Sequence, residues 1–245
     1  MMMSFRKGGP LDDFAAQVSG VGALAEPARR ALYLYVVAQP EPVSRDQAAA
    51  GAGLPRHTAK FHLDKLVADG LLDTEYRRLA GRRGPGAGRP TKLYRRSSRQ
   101  VAVTLPPRHY DLAGQILARA VEDAARDGVP VLQAVQRAAV DAGHRLGAAQ
   151  RGRAEGSAVL DDAAALDDVA AVLNAHGYEP RVQGDRVVLA NCPFHALARE
   201  HTALVCGMNL HLITALLDEL GRRNVLAGLD PGPQRCCVTL TTEPD

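Results

Sequence analysis

The sequence contains no tryptophan, and aromatic residues make up 4% of it. A core must therefore come mostly from Ala, Leu and Val, which the 46% hydrophobic content permits. Cysteine is scarce. Four in 245 residues is far below the density that disulfide-stapled folds need. No apolar run approaches the ~18 residues of a membrane span. Residues 1–14 lack the apolar core of a secretory signal. These absences lead to the expectation of a cytoplasmic chain with reduced thiols. The composition also excludes a disordered tail or a fibre, and the length suits one large domain or two small ones.

A net charge of +3 hides an uneven distribution. Residues 1–110 hold 18 of the 30 Lys and Arg and only nine of the 27 Asp and Glu. A basic first half joined to an acidic second half points to a polyanion as the partner of the first.

The first half reads as short helices. Leu11 to Val18 forms a weak one. Glu26-Pro27 opens a second, with Ala31, Leu32, Leu34, Tyr35 and Val36 in its apolar part, stopped by Pro40-Glu41-Pro42. Ser44 and Gln47 make a capping box for a helix over Arg45–Ala50. Gly51-Ala52-Gly53 is a turn. Pro55 then introduces a longer helix that Gly70 ends, with Ala59, Leu63, Leu66 and Val67 on one face. Leu71–Tyr76 and Thr91–Arg95 follow as strands around a Gly/Arg/Pro loop. Two helices joined by a glycine turn, then a basic hairpin, spell a winged helix-turn-helix.

On the Pro55 helix, Arg56, His57 and Lys60, with Thr58 beside them, lie off the apolar face. The first residues of a second helix of this kind reach base edges in the major groove, where Arg pairs with guanine. Arg82, Arg83 and Arg89 of the loop, together with Lys92, are the expected phosphate or minor-groove contacts.

Residues 110–126 and 131–149 read as Ala-rich helices. Their stripes are Leu112, Ile116, Leu117, Ala120 and Val121, and Val131, Val135, Ala138, Ala139 and Leu146. They are expected to pair two subunits into a homodimer or to pack on their own C-terminal domain. A polar linker, Arg151 to Asp161, leads to a helix over Ala163–His176. A hairpin of Tyr178–Gln183 and Arg186–Ala190 follows. Then come a long helix through Leu204, Met208, Leu212, Leu216 and Leu220 and a last strand over Cys237–Thr241. The expected class is α+β in three parts: a winged helix-turn-helix over 1–100, helical dimerisation over 101–155, and an α+β sensor over 156–245.

All four cysteines, Cys192, Cys206, Cys236 and Cys237, lie in the last 54 residues. Intracellular cysteines grouped in this way bind metal more often than they form disulfides. Cys192 precedes Pro193 at a strand-to-helix junction, where free helical N–H groups favour thiolate. Neighbouring strand residues face opposite ways, so Cys236 and Cys237 cannot both ligate one ion unless the strand begins after them. Cys236 is the better ligand if the apolar face meets the helix bearing Cys206. His195, His201 and Cys237 are candidates for a fourth position. Soft thiolates select zinc, Cu(I) or iron–sulfur, and the spacing is not that of a zinc ribbon. Zn2+ on Cys192, His195, Cys206 and Cys236 is a reasonable alternative.

The segments ALAEPARRALYLYV, RHTAKFHLDKLVADGLLDTEYRR and GRPTKLYR resemble the ArsR/DeoR-type winged-helix repressors. The wing ending GRPTKLY and the widely spaced cysteines are similar to the SufR group, which represses iron–sulfur assembly genes. The resemblance implies a homodimer on a double-stranded DNA operator and a [4Fe–4S] cluster on Cys192, Cys206 and Cys236. It also implies that the loaded form binds DNA and that oxidation or iron shortage releases it. A regulator that senses an organic ligand, with structural cysteines, is a further reading. No enzyme is expected: there is no nucleotide-binding glycine motif, no credible carboxylate pair and no Ser/His/Asp set. Gly86-Ala87-Gly88 sits among wing arginines rather than between a strand and a phosphate-binding helix.

Overall fold

The computed structural model describes residues 10–77, 90–151 and 162–242. They form two compact units, residues 1–103 and 104–245.

In the first unit, α1 spans Pro10–Ala23 and α2 Pro27–Val37. Glu26 caps α2: its carboxylate accepts from the backbone N–H of Arg29 (2.7 Å) and Ala28 (3.2 Å), and Pro27 takes the first-turn place where no N–H is needed. These backbone hydrogen bonds, the one from Arg29 above all, hold the Glu26 carboxyl below its ordinary range. A two-residue strand β1 (Val43–Ser44) precedes α3 (Arg45–Gly51). The capping box at its start is complete. Gln47 N donates to Ser44 Oγ (3.3 Å), and Ser44 N donates to Gln47 Oε1 (2.8 Å). The turn into α4 (Arg56–Ala68) runs through Gly53, whose φ of +67° a side chain would oppose. Strands β2 (Leu72–Arg77) and β3 (Thr91–Arg96) pair antiparallel, and β1 adds to the outer edge of β3 in the order β1-β3-β2. Leu32, Val36, Ala59, Leu63, Leu66 and Leu72 share one buried core.

The second unit holds α5 (Tyr110–Asp127), α6 (Val131–Arg151), α7 (Asp162–Ala175), α8 (His195–Glu200) and α9 (Thr202–Glu219). Its antiparallel sheet has the order β4-β5-β7-β6, with β4 Pro180–Gln183, β5 Arg186–Leu189, β6 Val225–Leu229 and β7 Val238–Thr242. One core joins α5, α6, α7, α9 and the sheet. Helices α5 and α6 pack on the C-terminal domain, one of the two roles expected of them, and α6 lies along α9. Glycine allows that approach: a Cβ on Gly143 would meet Leu212 O at 2.3 Å, and one on Gly147 would meet Glu219 Cβ at 2.7 Å. The stripes are also shifted from the expected ones. Ala113 and Ala134 are buried, while Val121 and Val131 are exposed, because the close helix contact admits small residues.

Three further elements differ from expectation. Strands β1 and β6 are too brief, or too rich in Gly and Ala, to carry an alternating pattern, and the six-residue helix α8 is too short to show a helical one. The last strand begins at Val238, after both terminal cysteines. No described helix is long and apolar enough to cross a membrane.

Candidate nucleic-acid interface and cysteine site

Helix α4 faces the core of its unit with Ala59, Leu63 and Leu66 and exposes Arg56, His57, Lys60 and Phe61, with Thr58 half-buried. Arg56 is not free: its Nη2 donates to Asp46 Oδ2 of α3 at 2.6 Å, an exposed ion pair. Lys92 on β3 is also held. Its Nζ donates to Asp64 Oδ1 of α4 (2.7 Å) and stands 5.1 Å from the centre of the Tyr94 ring, while the Tyr94 hydroxyl donates to the same carboxylate at 3.2 Å. Burial, with the Asp64 charge beside it, raises the Tyr94 phenol above its usual range. The Asp64 hydrogen bonds fix β3 to α4. Lys60, Asp46, Asp64 and Lys92 line a groove of about 450 Å3. Arg82, Arg83, Arg89 and Gly86-Ala87-Gly88 lie outside the described residues.

Helix, glycine turn and second helix, with a sheet packed behind them, are the architecture of a DNA-reading head. Residues 24–75 match a family described as a helix-turn-helix domain. That domain marks a DNA-binding transcription regulator. The matched segment ends within β2, before all four cysteines. No curated protein and no solved structure matches the chain.

The four cysteines come from three places: the turn after β5, the first turns of α9, and the segment before β7. They line one cavity of about 260 Å3, together with His195 and Arg235. Cys192 (8% exposed) and Cys236 (1%) are free thiols that share a hydrogen bond. Cys206 and Cys237 are joined in a disulfide with Cα atoms 6.3 Å apart. The sequence reading expects reduced thiols; the fold brings these two within bonding reach. It also resolves the question of the strand. Since β7 starts at Val238, the alternation rule does not separate Cys236 from Cys237, and both turn to the same cavity.

The Cys192 thiol is lowered to about 7, chiefly by the hydrogen bond from Cys236, against burial, and with help from the Phe194 N–H and the Arg108 charge. The same pairing and burial raise the Cys236 thiol far above its ordinary value. The expected helix N-terminus supplies one of these influences, through the Phe194 N–H, but not the leading one, because α8 begins only at His195.

The sequence reading missed four polar residues around the sulfurs. Asn209, 1% exposed in the apolar face of α9, donates from Nδ2 to Cys236 Sγ (3.3 Å) and accepts from the Tyr178 hydroxyl (2.6 Å). A lone Asn within LVCGMNLHLITALL was the available signal, since a buried amide demands partners. Arg108 and Asn191 are the other two. Arg108 Nη1 donates to Asn191 Oδ1 (2.5 Å) and to the Cys192 carbonyl (3.3 Å). Asn191 Nδ2 donates to the carbonyls of Gly177 (2.6 Å) and Pro107 (3.0 Å), and the His109 N–H donates to Pro193 O (3.1 Å). Residues 107–109 are thereby laced to the Cys192 turn.

In the disulfide form, two thiols remain, and among the described residues no three His, Cys, Asp or Glu side chains are set as ligands around one point. Reduction returns two more sulfurs to the same cavity. The reduced donor set, four thiols and the imidazole of His195, is of the soft kind that holds an iron–sulfur cluster or zinc.

Proposed function

We propose that the protein is a homodimeric repressor of the SufR kind, whose grip on operator DNA follows the state of its four cysteines. In this reading the cofactor is a [4Fe–4S] cluster held by Cys192, Cys206 and Cys236, with Cys237 or His195 at the remaining position. When bound, the cluster supplies an oxidant- and iron-sensitive link among the Cys192 turn, α9 and the approach to β7. The observation that carries the proposal is the convergence of four cysteines, far apart in the chain, on one small cavity.

The chain's own residues supply the route to the head. Arg108 and Asn191 tie residues 107–109, which follow the DNA-binding unit in sequence, to the Cys192 turn. A change in that turn biases the segment that leads to the head, as coupling between two sites requires. Helices α5 and α6 leave Val121, Val131 and Leu132 in solvent, which supports pairing of two copies there. Two recognition helices must then sit about one DNA turn apart, ~34–36 Å, so a small hinge change alters affinity.

Zinc is the second reading, favoured by His195 beside the sulfurs. Anaerobic purification separates the two. A brown protein with a broad visible band and matching iron and sulfide supports the cluster. A colourless protein with one zinc per chain overturns it.

A further inference from the structure

We propose that Phe61 is a specificity residue that reads the methyl group of a thymine in the major groove. The inference rests on the reading of α4 as the DNA-recognition helix and goes beyond it to name what the helix reads.

The geometry of α4 carries the argument. Ala59, Leu63 and Leu66 are fully buried and fix the inward direction. At 3.6 residues per turn, the opposite pole falls on His57, Phe61 and Ala68. All three are exposed. Arg56 and Lys60 lie toward one flank, where Arg56 is engaged by Asp46 and Lys60 lines the groove between α3 and the wing. Lys65, on the other flank, donates to Asp69 at 2.9 Å. The large side chain at the outward pole is thus a phenyl ring, 67% exposed, whose ring contact among the described residues is an edge-on approach to His62 at 5.2 Å.

A ring in that position cannot donate to or accept from base edges. The one apolar feature that a major groove offers is the C5-methyl of thymine, which Phe is suited to cover. The Lys60 charge on the flank and the basic balance of the first 110 residues favour a polyanion over an apolar protein surface as the occupant of this face. Lys60 then sets register on a phosphate, and Phe61 and His57 meet the bases.

The test begins with duplexes selected from random DNA by the full-length protein. Each thymine of the selected site is replaced by deoxyuridine, which lacks only the methyl. The wild type should lose about fourfold in affinity at a contacted position, the effect of one buried methyl. Phe61→Ala should bind the thymine and deoxyuridine duplexes equally there, with an unchanged melting temperature as the control for folding. Phe61→Leu should keep part of the preference. A wild type indifferent to every substitution, or a Phe61→Ala variant as sensitive as the wild type, overturns the proposal. Failure of the wild type to retain any duplex, in any cysteine state, overturns the DNA-recognition reading itself.

Discussion

Asn191→Ala probes the connection between the sulfur site and the segment leading to the head. Asn191 is 6% exposed and makes three side-chain hydrogen bonds, to Gly177 O, Pro107 O and Arg108. Each neutral bond contributes about 1 kcal/mol net, and a buried carbonyl left without a partner costs about 1–3 kcal/mol. The Arg108 bond involves a half-buried guanidinium that water can partly satisfy, so it is discounted. The sum is a loss of roughly 2–4 kcal/mol from the second unit. Urea unfolding of the reduced protein should show a lower midpoint with an unchanged slope. Asn191→Asp keeps the acceptor for Arg108 and loses both donors, so it should fall near Ala. A loss within about 0.5 kcal/mol, the range of ordinary surface changes, would mean that the network contributes nothing to stability.

Gly143→Val should destabilise by at least ~1–3 kcal/mol, because its Cβ meets the Leu212 carbonyl; Gly207→Ala, which meets nothing, should be neutral or stabilising, and thermal melts check both. With the Cys206–Cys237 bond in place, one proton should leave the Cys192–Cys236 pair near pH 7, read as the alkylation rate of Cys192 against pH; a midpoint at the ordinary thiol value of 9.0 would contradict the pairing. The sign for stability follows: between about 7 and 9.0 the unfolded chain keeps a proton that the native pair has released, so stability climbs, then falls at higher pH because Cys236 holds its proton in the native state. Lys60→Ala should weaken binding to all duplexes alike and reduce the salt slope by about one unit in a titration series.

Much of the head was legible in the sequence, because its signals are local. The Ser44–Gln47 box, Pro27 at a helix start and the spacing of Ala59, Leu63 and Leu66 each depend on a few neighbouring residues. The cysteines were visible as a group, but their arrangement was not. Whether Cys236 and Cys237 face the same way depends on where β7 starts, and that is set by pairing with β5 and β6. Strand β1 was hidden because two residues carry no alternation; its partners, Tyr94 and Leu93, lie about fifty residues on. Arg108 and Asn191 read as surface polar residues until the fold brings them together across 83 positions. The outward pole of α4 follows from periodicity, whereas the commitment of Arg56 to Asp46 depends on how α3 packs and is visible only in the structure.

The central claim is that the state of the cysteines sets the affinity for DNA. The most direct test measures one selected duplex, anaerobically, against the same protein in three forms: loaded with cluster, metal-free and reduced, and metal-free with Cys206 and Cys237 joined. The loaded form should bind at least about tenfold tighter than either metal-free form, a difference of about 1.4 kcal/mol. Cys192→Ser and Cys206→Ser should lose cluster and tight binding together. Equal affinities for all three forms would contradict the claim and leave a helix-turn-helix regulator whose cysteines only hold the second unit together.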